Sequence, residues 1–196
     1  EFCRMNGISL IVDAAHPFAQ GVHATVDAVS GELSLPVIRY EREFPMRDKR
    51  IIWCSSFDDA VGKLNNGKIT SLLALTGVNT IPKLRGYWSR KGNLCHFRVL
   101  DRDESRELAA KAGFPGNRLL YLKDEAITLE GEKEFIAKIS PEAVITKESG
   151  ESGFFKEKVE AAFACGAKVF AVQRPELPES FVPVYGPVGL RMEVER

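Results

Sequence analysis

The sequence predicts an α/β protein: two Rossmann-like parallel-sheet units with a cleft between them, the first unit incomplete. Three observations carry this expectation. Short strand-like runs alternate with amphipathic helical stretches along nearly the whole chain. Several of those runs, such as I-S-L-I-V and S-L-L-A-L, are continuously apolar, as in sheets covered on both faces. Two strands stop at small or polar turns that lead into helices, the edge at which open α/β folds bind ligands. The expected division is 1–50, the later part of an N-terminal α/β domain, and 51–196, a second α/β domain with a C-terminal tail. The polar segment E-F-P-M-R-D-K-R between them is the expected linker.

In order, E-F-C-R-M-N-G reads as the last turn of a helix closing at Gly7. The strand I-S-L-I-V stops at Asp13, and Pro17, with φ preset for a first helical turn, is expected to start a helix that Gly31 closes. L-P-V-I-R-Y-E-R is the next strand and brings Arg39 and Arg42 to its far end. I-I-W-C is a short strand, followed by a helix with serine caps and early acids that stops at Asn66-Gly67. I-T-S-L-L-A-L-T-G is a buried strand ending in Thr76 and Gly77, with a helix capped near Asn79 or Thr80 after it. The strands L-C-H-F-R-V-L, R-L-L-Y-L and A-V-I-T-K follow, separated by amphipathic helices. K-V-F-A-V-Q-R-P is expected to be the last strand, and G-L-R-M-E-V-E-R reads as a helix interrupted in mid-pattern. These ends suggest a part of a longer polypeptide.

Composition narrows the function. The chain has 196 residues, 44% hydrophobic and 28% charged, ordinary for a globular protein. Lys plus Arg and Asp plus Glu both number 27, so no global basic field invites nucleic acid. Cys3, Cys54, Cys95 and Cys165 form no C-x-x-C pair; they read as reduced thiols in a cytoplasmic protein, with no metal site. No apolar run is long enough for a membrane helix and no signal-peptide pattern is present.

Two turns carry chemistry. In D-A-A-H-P-F-A, Asp13 and His16 flank a strand-to-helix reversal whose free amides favour anions. Ala14 and Ala15 leave the backbone approachable, although Asp at a helix start is often only a cap. In T-K-E-S-G-E-S-G-F-F-K, Gly150 and Gly153 permit a tight turn, Ser149 and Ser152 add hydroxyls, and Lys147 adds a cation. Together they suit a phosphate or carboxylate, without the spacing of a P-loop or of G-x-G-x-x-G. Arg39 and Arg42 could grip a carboxylate or phosphate by the planar guanidinium fork. Of the three histidines, only His16 falls at an expected site; His23 lies seven positions later on the helix.

The string D-A-A-H-P-F-A resembles the D-A-T-H-P-F-A signature of the precorrin-6A reductase family, which includes the cobalt-precorrin-6A reductases. Lys147-Glu148-Ser149-Gly150, Lys158 with Ala161 and Ala162, and Arg174-Pro175 match that family's later motifs in order. Ala15 replaces the family's threonine, so a hydroxyl contact from that position is lost. The resemblance implies NADPH-dependent reduction of a ring double bond of precorrin-6A, or of its cobalt complex, to the 6B form in cobalamin biosynthesis. It implies catalytic roles for His16 and Asp13, with His16 orienting or polarising the substrate. Cofactor contacts would come from Lys147, Ser149, Gly150, Gly153, Thr76, Gly77 and Arg174, and contacts to the tetrapyrrole (corrinoid) substrate from Arg39, Arg42 and Phe18. The family's N-terminal glycine-rich turn does not precede Glu1; a chain truly starting there is expected to bind NADPH weakly and to hold residues 1–50 poorly. Fusion to, or association with, another corrin-pathway enzyme is compatible with this reading. The alternative is a non-catalytic nucleotide- or metabolite-binding module of the same architecture.

Overall fold

The structure, a computed structural model, describes residues 1–44, 46–122, 127–150 and 153–196. Ser152 of the glycine turn therefore lies outside the described residues. The chain divides into two compact units, Glu1–Pro45 with Arg174–Arg196, and Met46–Gln173.

The first unit begins with the single helical turn α1 (Phe2–Met5), closed by Gly7 in the left-handed region (φ 60°) as expected. β1 (Ile11–Asp13) leads to α2 (Gln20–Leu33) and then to β2 (Val37–Glu41). The helix starts later than Pro17. The Ala19 N–H closes a turn on the His16 carbonyl at 2.7 Å, and the Phe18 N–H is spent on the His16 ring. The α-helical ladder thus begins only at Gln20. It also runs through Gly31 and ends at Ser34 (φ 52°), where the Ser30 hydroxyl donates to the Leu35 carbonyl.

The second unit alternates as the pattern predicts. β3 (Ile52–Cys54) is followed by α3 (Phe57–Asn66), whose Ser56 cap accepts from the Asp59 N–H at 3.1 Å. β4 (Ser71–Ala74) comes next, but the helix expected after it is broken into two 3-10 turns, Val78–Thr80 and Pro82–Leu84, and the short α4 (Arg85–Trp88). Pro82 cannot donate to a continuous ladder. β5 (Leu94–Leu100), α5 (Asp103–Lys111), β6 (Leu119–Leu122) and α6 (Leu129–Ile139) follow. β7 (Ala143–Lys147), α7 (Phe155–Ala164) and β8 (Lys168–Val172) complete the unit.

The chain then returns to the first unit. β9 (Phe181–Tyr185) pairs in parallel with β2, and α8 (Gly186–Val194) follows it. This differs from the expected 51–196 domain, because residues from Arg174 onward rejoin the first sheet. Pro183 hid the strand: proline lacks the N–H of a central ladder, yet β9 lies at the edge of its sheet, where proline is tolerated.

Both sheets are wholly parallel. The first has the order β1-β2-β9 and the second β3-β8-β7-β4-β5-β6. From β4 the second sheet grows one way, through β5 and β6; from β7 it grows the other way, through β8. β4 and β7 are hydrogen-bonded neighbours, so their carboxyl ends flank the point where the winding reverses. Leu72, Leu73, Ala74 and Ile145 beneath that point are fully buried. The sequence thus forms a stiff apolar floor under a polar rim.

Candidate functional site

The rim of the second sheet brings together two of the expected turns. The ladder runs to the edge of the first, the Leu75 N–H donating to the Ile145 carbonyl at 2.9 Å. Thr76 is buried, its hydroxyl 2.6 Å from that of Thr80. Since Thr80 donates its own proton to the Gly77 carbonyl at 2.7 Å, Thr76 is the donor between the two hydroxyls. Gly77 has φ 86°, a conformation that any side chain would strain.

The second turn leaves β7 at Lys147. Glu148 extends the pairing, its N–H donating to the Val172 carbonyl at 2.9 Å. Its carboxylate is buried and takes a two-pronged grip from Arg47, at 3.1 and 3.0 Å. Gly150 turns the chain at φ 72°. Gly153 is required for another reason: a Cβ there would stand 2.0 Å from the Ser149 hydroxyl oxygen. Lys158, from α7, reaches back and donates to the Gly153 carbonyl at 2.6 Å.

Several cations gather at this rim. Burial, followed by the charge of Lys83, lowers the pKa of Lys147 from its ordinary value. Burial, Arg98 and Lys147 push Lys158 down to about 8, against the opposing pull of Glu132 and Glu157. Arg98 itself is buried and paired with buried Glu132 at 2.5 Å. A lysine disfavoured in its charged form is one that an incoming anion would stabilise.

The first unit holds a different constellation. Asp13, the last residue of β1, is 4% exposed. Its Oδ1 accepts from the Ala15 N–H at 2.9 Å, and its Oδ2 lies 2.7 Å from His23 Nδ1 and 3.1 Å from Arg39 Nη1. Burial works to raise the Asp13 pKa, but the Ala15 amide, His23 and Arg39 outweigh it, and the carboxyl sits below its ordinary value. Arg39 is fully buried and also faces Glu41 at 3.6 Å. Arg39, expected to contact substrate, is fully buried: parallel pairing sets it opposite Asp13, which Nη1 faces, while Nε and Nη2 have no hydrogen-bond partner among the described residues. Asp13, expected to be catalytic, is likewise buried, and its carboxylate holds the turn through the Ala15 amide.

His16 is exposed, and its Nδ1 accepts from the Phe18 N–H at 3.1 Å, so a neutral ring carries its proton on Nε2. The rings of His16 and Phe18 lie 6.0 Å apart. Arg42 is half-buried, its backbone N–H donating to the Glu41 carboxylate at 2.9 Å. The Arg174 guanidinium stacks on Phe44 at 3.7 Å and belongs to the first unit, whereas the other residues expected to hold a cofactor lie in the second. Sequence reasoning missed His23, Lys83 and the Arg47–Glu148 pair. No local pattern announced His23: it lies on α2, while Asp13 ends β1 and His16 sits in the turn before the helix.

The precorrin-6x reductase CbiJ/CobK family matches residues 1–186. The chain belongs to that family. The cobalt-precorrin-6A reductase of Methanocaldococcus jannaschii is 29% identical over 178 residues, covering 90% of this chain and 68% of the relative. That of Methanothermobacter thermautotrophicus is 30% identical over 190 residues, covering 94% and 60%. The Synechocystis enzyme of the same name is 29% identical, covering 90% and 67%. The chain thus spans roughly two thirds of the length of these relatives. A solved structure of a CobK precorrin-6A reductase superposes with a TM-score of 0.78 at 19% identity, over 99% of this chain and 75% of the other, which establishes the shared α/β fold. The family's matched span contains both turns described above. No helix among the described residues is long and apolar enough to cross a membrane.

Proposed function

We propose that this protein reduces a ring double bond of precorrin-6A, or of its cobalt complex, to the 6B compound, with NADPH as reductant. The observation that carries the reading is the pairing of two ligand-shaped turns, Thr76–Gly77 and Lys147–Gly150, at the winding reversal of the second sheet. The family and its cobalt-precorrin-6A reductase relatives support the substrate.

A dinucleotide fits this rim chemically. Gly77, Gly150 and Gly153 let the backbone approach it, Thr76 and Ser149 supply hydroxyls, and Lys147 and Lys158 gain from a phosphate what burial takes from their charge. When bound, NADPH supplies the hydride; one further proton completes the two-electron reduction and leaves NADP+. The chain's own work is positioning. Lys147 and Lys158 hold anionic oxygens, and the stiff floor of β4 and β7 keeps the turns fixed. His16, with Phe18 against it, orients or polarises the substrate; Arg42 and Arg174 are the guanidinium groups that can take its carboxylates. The protein works in the cytoplasm with a diffusible corrinoid.

The test follows nicotinamide absorbance on adding precorrin-6A, with and without cobalt, to the full-length protein and NADPH. Substrate-dependent oxidation is expected. Saturable NADPH binding with no turnover would overturn the enzyme reading in favour of a binding module of the same fold.

A further inference from the structure

Within the first unit, the turn that carries His16 is held from behind. A carboxylate is free to rotate about its last torsion unless both oxygens are engaged, because that torsion is broad and two-fold. Asp13 uses Oδ1 to fix the Ala15 amide at 2.9 Å, and it can do so steadily only if Oδ2 is held. Two groups reach Oδ2. Arg39 Nη1 stands 3.1 Å away, but this guanidinium also faces the Asp13 carbonyl at 3.5 Å and Glu41 at 3.6 Å. The directed bond, at 2.7 Å, is that of His23 Nδ1. The imidazole is 5% exposed, its edge set against Phe181 with 6.4 Å between ring centroids. Its Nε2 has no hydrogen-bond partner among the described residues.

We propose that His23 is the positioning residue of the Asp13–Phe18 turn: through Nδ1 it locks the Asp13 carboxylate, which pins Ala15 and so sets the backbone that presents His16. His23 touches neither substrate nor cofactor in this role. The inference rests on the reductase reading for its kinetic consequence, not for its geometry. It is specific about the nitrogen that matters, since Nδ1 is bonded and Nε2 is not.

Two substitutions separate the nitrogens. In His23→Asn the side-chain amide nitrogen falls where Nδ1 stood; in His23→Gln it falls near Nε2, and the Nδ1 position is lost. Both remove the ring from Phe181, so both should lower the melting temperature to a similar degree. Hydrogen exchange at the Ala15 amide tells them apart. Protection should persist in His23→Asn and fall about tenfold or more in His23→Gln, the loss of one buried hydrogen bond. In the reductase assay His23→Gln should lose about tenfold in kcat with KM for NADPH unchanged, and His23→Asn should recover most of that loss.

Equal Ala15 exchange in the two variants, or protection retained by His23→Gln alone, would overturn the proposal. Should either variant fail to fold, the unmodified protein decides: its NMR spectrum must show an exchange-protected His23 Nδ1 proton, and the absence of that proton also overturns it. If the unmodified protein does not oxidise NADPH with corrinoid, the reductase reading fails while the Ala15 exchange still judges the positioning role.

Discussion

Each unit buries a group of charges next to a strand end, and the two groups are built oppositely. In the first unit, Asp13 and Glu41 face Arg39 and His23, and every one of these side chains has a partner within the group. In the second, Arg98 and Glu132 satisfy each other, but Lys147 and Lys158 add further positive charge beside them. A buried charge is costly unless it is paired. The first group serves to hold a turn, with Arg39 Nε and Nη2 and His23 Nε2 left without hydrogen-bond partners among the described residues; the second gathers cations, the property on which the proposed anion site rests.

Breaking the first group should have the larger effect on stability. Asp13→Ala strips fully buried Arg39 of its nearest carboxylate and frees the Ala15 amide. A loss of about 3–5 kcal/mol is expected from removing one partner of a buried pair. Urea denaturation measures it, and a loss no greater than that of a surface substitution would show the network to be dispensable.

Gly153→Ala tests the second group's turn. Its Cβ would collide with Ser149, at a cost of about 1–3 kcal/mol for overpacking. Since both nearest atoms belong to Ser149, the double variant with Ser149→Gly should regain that stability. A double-mutant cycle with no coupling would place the strain elsewhere.

Lys147→Ala should leave melting nearly unchanged, because it removes a cation that burial already disfavours. NADPH affinity, read by nicotinamide fluorescence, should nonetheless fall about tenfold to a hundredfold, as for a lost charged hydrogen bond of about 1.5–3 kcal/mol. His16→Ala is the counterpart in the first unit. This exposed residue should change stability by no more than about 0.5 kcal/mol while lowering turnover. Unfolding of either variant would assign that residue to the scaffold.

The smallest effects are those of pH, and they have opposite signs. Asp13, held below its ordinary value of 3.8, contributes stability that is present above that pH and lost as acid protonates the folded carboxylate. Lys158, lowered from 10.5 to about 8, binds protons less readily folded than unfolded. The ligand-free second unit should therefore gain stability as pH rises from about 8 toward 10.5, while NADPH affinity declines over the same rise. Calorimetric titration in two buffers near pH 8 should detect proton uptake on binding, and its absence would remove Lys158 from the anion site.

Much of this was legible in the residues. Continuous apolar runs ending in T-G and K-E-S-G announced parallel strands with ligand-shaped turns, because a strand buried on both faces has no polar alternation and a close backbone approach needs glycine. Ser56 and Gly67 bounded α3 as written, since caps are local chemistry. Pairing was not local. Nothing in F-V-P-V-Y says that β9 crosses back to lie beside β2, because the partner is over a hundred residues away and proline masks the strand. Nothing beside Arg39 says that it faces Asp13; parallel register decides that, and it buries the guanidinium that the strand-end position offered as a ligand contact. The sequence by itself determined the elements, their polarity and the two turns, which depend on neighbours along the chain. Only the tertiary structure decided that β4 and β7 stand side by side, and that His23 backs Asp13, because strand order and burial are settled by contacts between segments far apart in sequence.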